Sequence, residues 1–261
     1  MKRLSISVLA FSLMMSGCTI IPKSHTQTHN HHHDHSHGWD YEHPEKWGDQ
    51  EVNKLCTAGQ KQSPIDVKKV TRPLPDSNKI IKLDENHQAQ DFSVKNNGHT
   101  IIFDVKDQNQ SSISVNGINY HLLQFHYHIP SEHTVMNTNY PLEIHFVYKS
   151  NTDDLAVVGV LANLGKYNAS LQQIITNLPN KKKDNTTLTN FNIGSLMPKG
   201  GGVYTYDGSL TTPPCSEKVQ WLLKSEPIQA DKTQLNTLSK LYNGNNRPVQ
   251  PQNDREILLI N

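Results

Sequence analysis

The chain has 261 residues, with 25 Lys and Arg against 24 Asp and Glu and a formal charge of +1. That balance removes the electrostatic case for a nucleic-acid partner. Behind an N-terminal leader about 240 residues remain, enough for one large β-rich domain, and no later apolar run is long enough to cross a bilayer.

The leader opens on Met1-Lys2-Arg3, a short basic segment. Residues 4–15 are apolar but too short for a mature transmembrane helix. Ser16-Gly17-Cys18 follows, and small residues ahead of a cysteine at that point look like a bacterial lipoprotein signal. Cleavage after residue 17 would leave Cys18 to carry lipid. The alternative is an ordinary cleaved signal peptide in which Cys18 has no role. On both readings residues 1–17 direct export. The expected location is periplasmic, with a membrane partner only through a lipid on Cys18. The chain has three cysteines. With Cys18 set aside, Cys56 and Cys215 can pair in an oxidising compartment, or stand as two separate thiols.

Residues 25–37 hold seven of the fifteen histidines and no apolar residue. A tract of that composition cannot bury a core, so residues 18–37 read as a disordered tether ahead of a domain spanning 38–261. Imidazoles at this density bind divalent metals loosely. Zinc capture is the functional reading, and a solvated tether is the plain one.

Order begins near Gly38, where Trp39, Tyr41 and Trp47 can pin an arm onto the domain. Residues 62–67 form a turn entering a strand, and 72–75 a proline-rich loop. Asn96-Asn97-Gly98-His99 is a turn leading into a strand over 101–105. Residues 112–115 and 118–129 flank Asn116-Gly117, which supplies the φ > 0 residues of a tight hairpin. An apolar run over 155–161 reads as a central strand. Residues 169–178 place Leu171, Ile174, Ile175 and Leu178 on one helical face, with Pro179 ending it. Residues 231–242 repeat the pattern with Leu235, Leu238 and Leu241, closed by Gly244. Lys181-Lys182-Lys183 reads as a solvated loop. No internal repeat or second domain is evident.

The chemistry concentrates in Gln124-Phe125-His126-Tyr127-His128, then Glu132-His133, then Glu143-Ile144-His145. Residues two apart share a face of a strand, so Gln124, His126 and His128 point one way. A second strand, 142–148, puts Glu143, His145 and Val147 on one face. If the two strands pair, three imidazoles converge and leave one position open, the layout of a catalytic zinc site. Gln124 can hold the outer N–H of His126, and Glu143 that of His145. Further on, Tyr204 to Cys215 is dense in hydroxyls and proline. A stiff loop of this kind can hold Thr211 beside a metal, where it would orient a bound hydroxide and pass its own proton to a buried carboxylate such as Glu132.

Together these stretches resemble an α-class carbonic anhydrase of the bacterial, exported type. The resemblance rests on residues 62–67, 97–99, 124–128, 131–134, 143–145, 155–159, 206–214, 219–221, 246–248 and 250–251. It implies a mainly β (α+β) fold: one domain around a twisted, mainly antiparallel central sheet of about ten strands, with short peripheral helices. It implies Zn2+ on His126, His128 and His145, outer partners Gln124 and Glu143, and a hydroxide-orienting pair of Thr211 and Glu132. The Thr211 N–H would face the developing anion, and His99 would shuttle protons along water ordered by Tyr41 and Thr212. Val147, Val157, Leu210, Val219 and Trp221, with Thr212, would line the pocket for carbon dioxide. The Cys56/Cys215 pair matches the disulfide of exported members. The activity implied is reversible hydration of carbon dioxide to bicarbonate and a proton. Dimers occur among bacterial members, so a homodimer stays open, although no interface is legible. Two other readings use the same fold: a zinc buffer working through the histidine tract, and a non-catalytic surface-binding module.

Overall fold

A computed structural model describes residues 38–73, 81–106, 110–179, 181 and 184–260. The expectations for the signal, Cys18, the histidine tract, Leu74, Pro75, Lys182 and Lys183 lie outside these residues. The fold described here lies within the unit Trp39–Asn261.

Its frame is a sheet of twelve strands, two more than the resemblance implied. The main path runs Asn185–Phe191, Gln90–Asn96, Ile101–Val105, Ile118–His128, Leu142–Ser150, Leu155–Leu164, Glu217–Lys224, Val203–Ser209, Leu258–Ile260. Leu83–His87, Ser111–Val115 and Ile228–Ala230 pair off this path. Pairings are antiparallel except where Leu155–Leu164 meets Glu217–Lys224 and Ile228–Ala230. A separate three-stranded sheet joins Asp66–Val67, Thr134–Val135 and Thr138–Asn139. The Asn116-Gly117 hairpin forms as its sequence predicts, with φ of 51° and 81° at those residues. Such values match the right-handed twist of the flanking strands.

Two apolar clusters lie on the sheet's two faces. One gathers Phe92, Phe103, Phe125, Tyr127, Phe146 and Tyr148 against residues of Ala169–Thr176 and Lys232–Leu241. Phe103 and Phe125 stack at 4.3 Å. The other gathers Val147, Val157, Leu161, Val219, Trp221 and Leu223 with Ile65 and Val67.

The strand Ile118–His128, the second arm of the hairpin expected over 118–129, does not run with one unbroken period. Leu122 pairs with Tyr148, yet Gln124 pairs with Val147, so Leu123 is an extra residue, a β-bulge. Tyr120 and Leu122 belong to the first cluster, and past the bulge Phe125 and Tyr127 take over that face. An extra residue exchanges the faces of everything that follows. Without it, Gln124, His126 and His128 would follow Tyr120 and Leu122 into the aromatic core. The bulge turns the three polar side chains onto the opposite face.

The first helix, Ala169–Thr176, ends two residues before the expected Leu178, and Asn168 caps it through bonds from Ser170 and Leu171 N–H. The second, Lys232–Leu241, starts one residue later than the expected span because Asp231 serves as the N-cap, and it ends one residue before the expected Tyr242. Asp231 and Gln234 form a capping box. Each satisfies amides that the first helical turn leaves without partners.

Candidate metal centre

His126 and His145 are direct cross-strand partners, and His128 lies opposite Glu143. The predicted pairing of the two strands therefore brings the three imidazoles together. One ring nitrogen of each lies within 4.8 Å of the others. The opposite nitrogens are all taken. His126 Nδ1 meets Gln124 Oε1 at 2.8 Å, and His145 Nε2 meets Glu143 Oε1 at 2.7 Å, as the strand period predicted. His128 Nδ1 meets the main-chain oxygen of Asn245 at 2.6 Å.

An acceptor on one ring nitrogen holds the proton there and leaves a lone pair on the other. Those lone pairs face inward, on His126 Nε2, His128 Nε2 and His145 Nδ1. His128 Nε2 is buried and has no hydrogen-bond partner. Burial lowers the pKa of all three imidazoles, to about 4 for His128, so they stay neutral. Three convergent, neutral nitrogen donors with carboxamide, carboxylate and carbonyl support suit zinc. A second group, His133, Glu143 and His145, is also compact, but its atoms already bond one another at 2.7 Å and offer no free lone pair to a cation.

Glu143 is saturated. Its Oε2 accepts the backbone N–H of Glu132 and of His133, both at 2.8 Å, and its Oε1 accepts the two imidazoles. Although burial opposes the charge, His133 and His145 hold its pKa well below the usual carboxylate range. Gly159 leaves room for this carboxylate. A Cβ there would lie 2.7 Å from Leu223 Cδ1 and 3.3 Å from Glu143 Oε1.

Glu132 sits against the triad. Its Oε1 accepts Arg247 N–H at 2.8 Å, and its Oε2 stands 3.5 Å from His128 Nε2 and 3.8 Å from His145 Nδ1. Burial pushes its pKa up to about 7, against the pull of His145, the Arg247 amide and the Thr211 side chain. Thr211 is buried in the loop after Val203–Ser209. That loop is closed by Leu210 N–H to Ser216 O at 2.9 Å and by Cys215 N–H to Thr212 O at 2.8 Å. Cys215 pairs with Cys56 in a disulfide.

Of the residues expected to line the substrate pocket, Val147, Val157, Val219 and Trp221 lie in one apolar cluster, with Leu210 packed against it. Thr212 is half-buried. At the other side His99 stacks on Trp39 at 4.0 Å, and Trp39 packs edge-on against Tyr41 and Trp47. Burial, then the charge of Glu132, raises the Tyr41 pKa, which places its hydroxyl in the field of that carboxylate.

Five residues go unassigned in the sequence reading. Asn245 supplies the carbonyl for His128, and its side chain bonds Ile129 N, Tyr127 O and His99 O. Arg247 ties Gln62, Ser63 and Cys56 together beneath Trp47. His133, Tyr206 and Ser63 extend the support of Glu143. Most of these contacts run through main-chain atoms, which carry no residue signature. A cleft of about 720 Å³ elsewhere includes Lys61, Asp207, Gln220 and Arg255 in its lining and none of the three histidines. Lys61 there is paired with Asp207, and Arg255 bonds the Asp207, Pro251 and Gln252 carbonyls.

Three convergent histidines that could hold a metal ion, set in a large twisted sheet, mark out a class of enzyme fold. Residues 42–261 match the family model of the eukaryotic-type carbonic anhydrases, and the chain belongs to that family. A carbonic anhydrase of Nostoc sp. is 35% identical over 261 residues, covering 99% of this chain and 95% of that protein. A hyperthermostable carbonic anhydrase from a hydrothermal vent chimney superposes with a TM-score of 0.78 at 38% identity, over 86% of this chain and 100% of that one. The Thermovibrio ammonificans α-carbonic anhydrase, solved with sulfanilamide, gives 0.79 at 34% identity, over 85% and 98%. Membership of this family implies hydration of carbon dioxide.

Proposed function

We propose that the chain is an exported zinc enzyme that interconverts carbon dioxide with bicarbonate and a proton, holding the metal on His126 Nε2, His128 Nε2 and His145 Nδ1. The observation that carries this reading is the set of three inward lone pairs, each fixed by an acceptor on the opposite ring nitrogen. Zinc, when bound, supplies a Lewis acid that brings the pKa of a water to about 7, a value established for carbonic anhydrases themselves and quoted as such.

The rest is done by the chain's own groups. Thr211 accepts a hydrogen bond from the attacking oxygen and donates its hydroxyl proton to Glu132. The other oxygen of Glu132, Oε1, is already held by Arg247 N–H, which leaves Oε2 for Thr211. A lone pair of the attacking oxygen is thereby aimed at the substrate carbon. The Thr211 N–H faces the charge that develops on the substrate oxygen. Val147, Val157, Leu210, Val219 and Trp221 give an apolar surface on which a small linear molecule rests without competing water. Thr212 closes that pocket and, with Tyr41, orders water toward His99. His99 takes the released proton to solvent, a task suited to an imidazole with a pKa near ~6.5.

Residues 1–17 act as the export signal in this reading, Cys18 as the lipid site, and 18–37 as the tether to the catalytic domain 38–261. Replacing Cys18 with alanine moves a lipoprotein from the membrane fraction to the soluble fraction and leaves a plain secreted protein where it was.

The test of the enzyme is stopped-flow hydration of carbon dioxide by the mature protein with bound zinc measured, beside His126→Ala. Fast hydration and one domain-bound zinc, both lost in the variant, carry the proposal. Zinc held without hydration, or hydration indifferent to His126, removes it.

A further inference from the structure

We propose that Tyr242 is a positioning residue for His99: its hydroxyl fixes the turn that carries this imidazole. The inference rests on the reading of His99 as the proton carrier and concerns a side chain that reading leaves idle.

His99 sits on the turn 97–100, between the strands Gln90–Asn96 and Ile101–Val105, whose pairing ends at Asn96 and Ile101. Gly98 takes a φ of 93° there, a conformation open to glycine and rare for other residues. The main-chain amides of such a turn need acceptors outside the strand ladder. Local side chains supply them. Asn97 Oδ1 accepts His99 N–H at 2.9 Å and Thr100 N–H at 2.8 Å. Asn96 Oδ1 accepts Gly98 N–H at 3.0 Å. Asn97 N–H closes on Thr100 O at 3.2 Å, so each amide from 97 to 100 is taken. Asn245 Nδ2 also reaches His99 O, at 3.3 Å.

Asn97 braces the turn from within, and Tyr242 braces it from outside. The Tyr242 hydroxyl donates to Asn96 Oδ1, the same oxygen that holds Gly98 N–H. Burial raises the Tyr242 pKa, against the pull of the Gly98 amide and the Asn96 side chain, so the hydroxyl keeps its proton beside that amide. Tyr242 lies 146 residues beyond Asn96 in the chain. Its place is set by the helix Lys232–Leu241, of which it is the C-cap. It leaves the helix in an extended conformation, with its N–H on Leu238 O at 3.3 Å. Its ring packs against the apolar cluster that buries Leu238. The helix is thus a fixed body, and the hydroxyl is where it grips the turn.

The far side of the turn ends on the imidazole. The His99 ring stacks on Trp39 at 4.0 Å with the planes 12° apart. Without the hydroxyl, Asn96 Oδ1 keeps only the Gly98 amide and its carboxamide is free to turn. The left-handed glycine then becomes a hinge directly before His99. The step that suffers is removal of the proton, since attack on carbon dioxide does not use this imidazole.

The experiment compares wild type, Tyr242→Phe, His99→Ala and the double variant. Stopped-flow hydration is read on the zinc-loaded mature protein, and proton NMR on the zinc-free protein. Phenylalanine keeps the ring and loses the hydrogen bond. A proton that departs after bicarbonate has left limits kcat and not kcat/KM. Tyr242→Phe should therefore lower kcat in weak buffer about fivefold, the equivalent of one neutral hydrogen bond, with kcat/KM within about twofold of wild type. Added imidazole should restore kcat. On the His99→Ala background the same change should remove nothing more, because the two residues act through one group. In the zinc-free spectra the His99 ring protons, identified by their loss in His99→Ala, should move downfield as the ring leaves the face of Trp39. Unchanged kcat, or His99 resonances that stay in place, overturn the proposal. So does a fall in kcat/KM equal to the fall in kcat, which would mark Tyr242 as purely structural. If Tyr242→Phe does not fold, Asn96→Ala removes the acceptor and is read in the same way. A His99→Ala variant with undiminished kcat in weak buffer fails at the proton-carrier reading instead and overturns both.

Discussion

Replacing Arg247 with methionine should destabilise the domain by about 3 kcal/mol, from two opposed quantities. The guanidinium is 2% exposed. Burial lowers its pKa to about 10, against the pull of Glu132, so holding the charge there costs about 3 kcal/mol. Against this stand three bonds of 2.7–2.9 Å, to Gln62 Oε1, Ser63 O and Cys56 O. Hydrogen bonds to a charged group contribute about 1.5–3 kcal/mol each, so their loss outweighs the relief of desolvation. Methionine keeps the bulk and the contact with Trp47, and it keeps the backbone N–H to Glu132, so the difference reports the fork. The assay is urea unfolding of zinc-free protein with the disulfide intact. A slope of about 2–3 kcal/mol per molar converts the loss into a midpoint about 1 M lower. Arg247→Lys should recover only part, since an ammonium cannot reach three acceptors in one plane. A methionine variant within about 0.3 M of wild type would refute the reasoning, because desolvation would then cancel the bonds.

Three further outcomes follow from the same geometry. His99→Ala should lower turnover in weak buffer by about a hundredfold and recover on addition of imidazole, because the lost group only carries protons away; loss without recovery would remove His99 from that path. Zinc-free protein should lose stability as pH falls from 7 toward 4.5. Burial depresses His126, His128 and His145, so the unfolded chain binds their protons first, at about 3 kcal/mol for His128 alone. Glu132, raised to about 7, takes up a proton in the fold and offsets one histidine, and a urea midpoint that stays flat or rises on acidification would contradict this balance. Asp231→Ala removes the acceptor of the capping box at Lys232–Leu241 and should cost about 1 kcal/mol, seen as a melting temperature about 2–4 °C lower with zinc affinity unchanged.

What was legible in the sequence is what depends on near neighbours. Gln124 supports His126 and Glu143 supports His145 because a strand returns to the same face every second residue, so each pair is local. The Asn116-Gly117 hairpin and the two amphipathic helices are likewise written in short windows, and only the end residues of the helices differed. The apolar wall came from likeness to a family, and that likeness also chose among the readings left open for Thr211, Glu132 and the two cysteines, since nothing in their own spacing joins them.

Tertiary structure decided the rest. The third support, under His128, is a main-chain oxygen 117 residues away, and any residue at position 245 offers one. Arg247 and Tyr206 have no assigned role in the sequence until the chain brings Cys56, Ser63 and His133 beside them. The bulge at Leu123 is the sharpest case. Uninterrupted alternation would send His126 and His128 toward the aromatic core, and one unpaired residue, visible only against the partner strand, turns them onto the opposite face of the sheet.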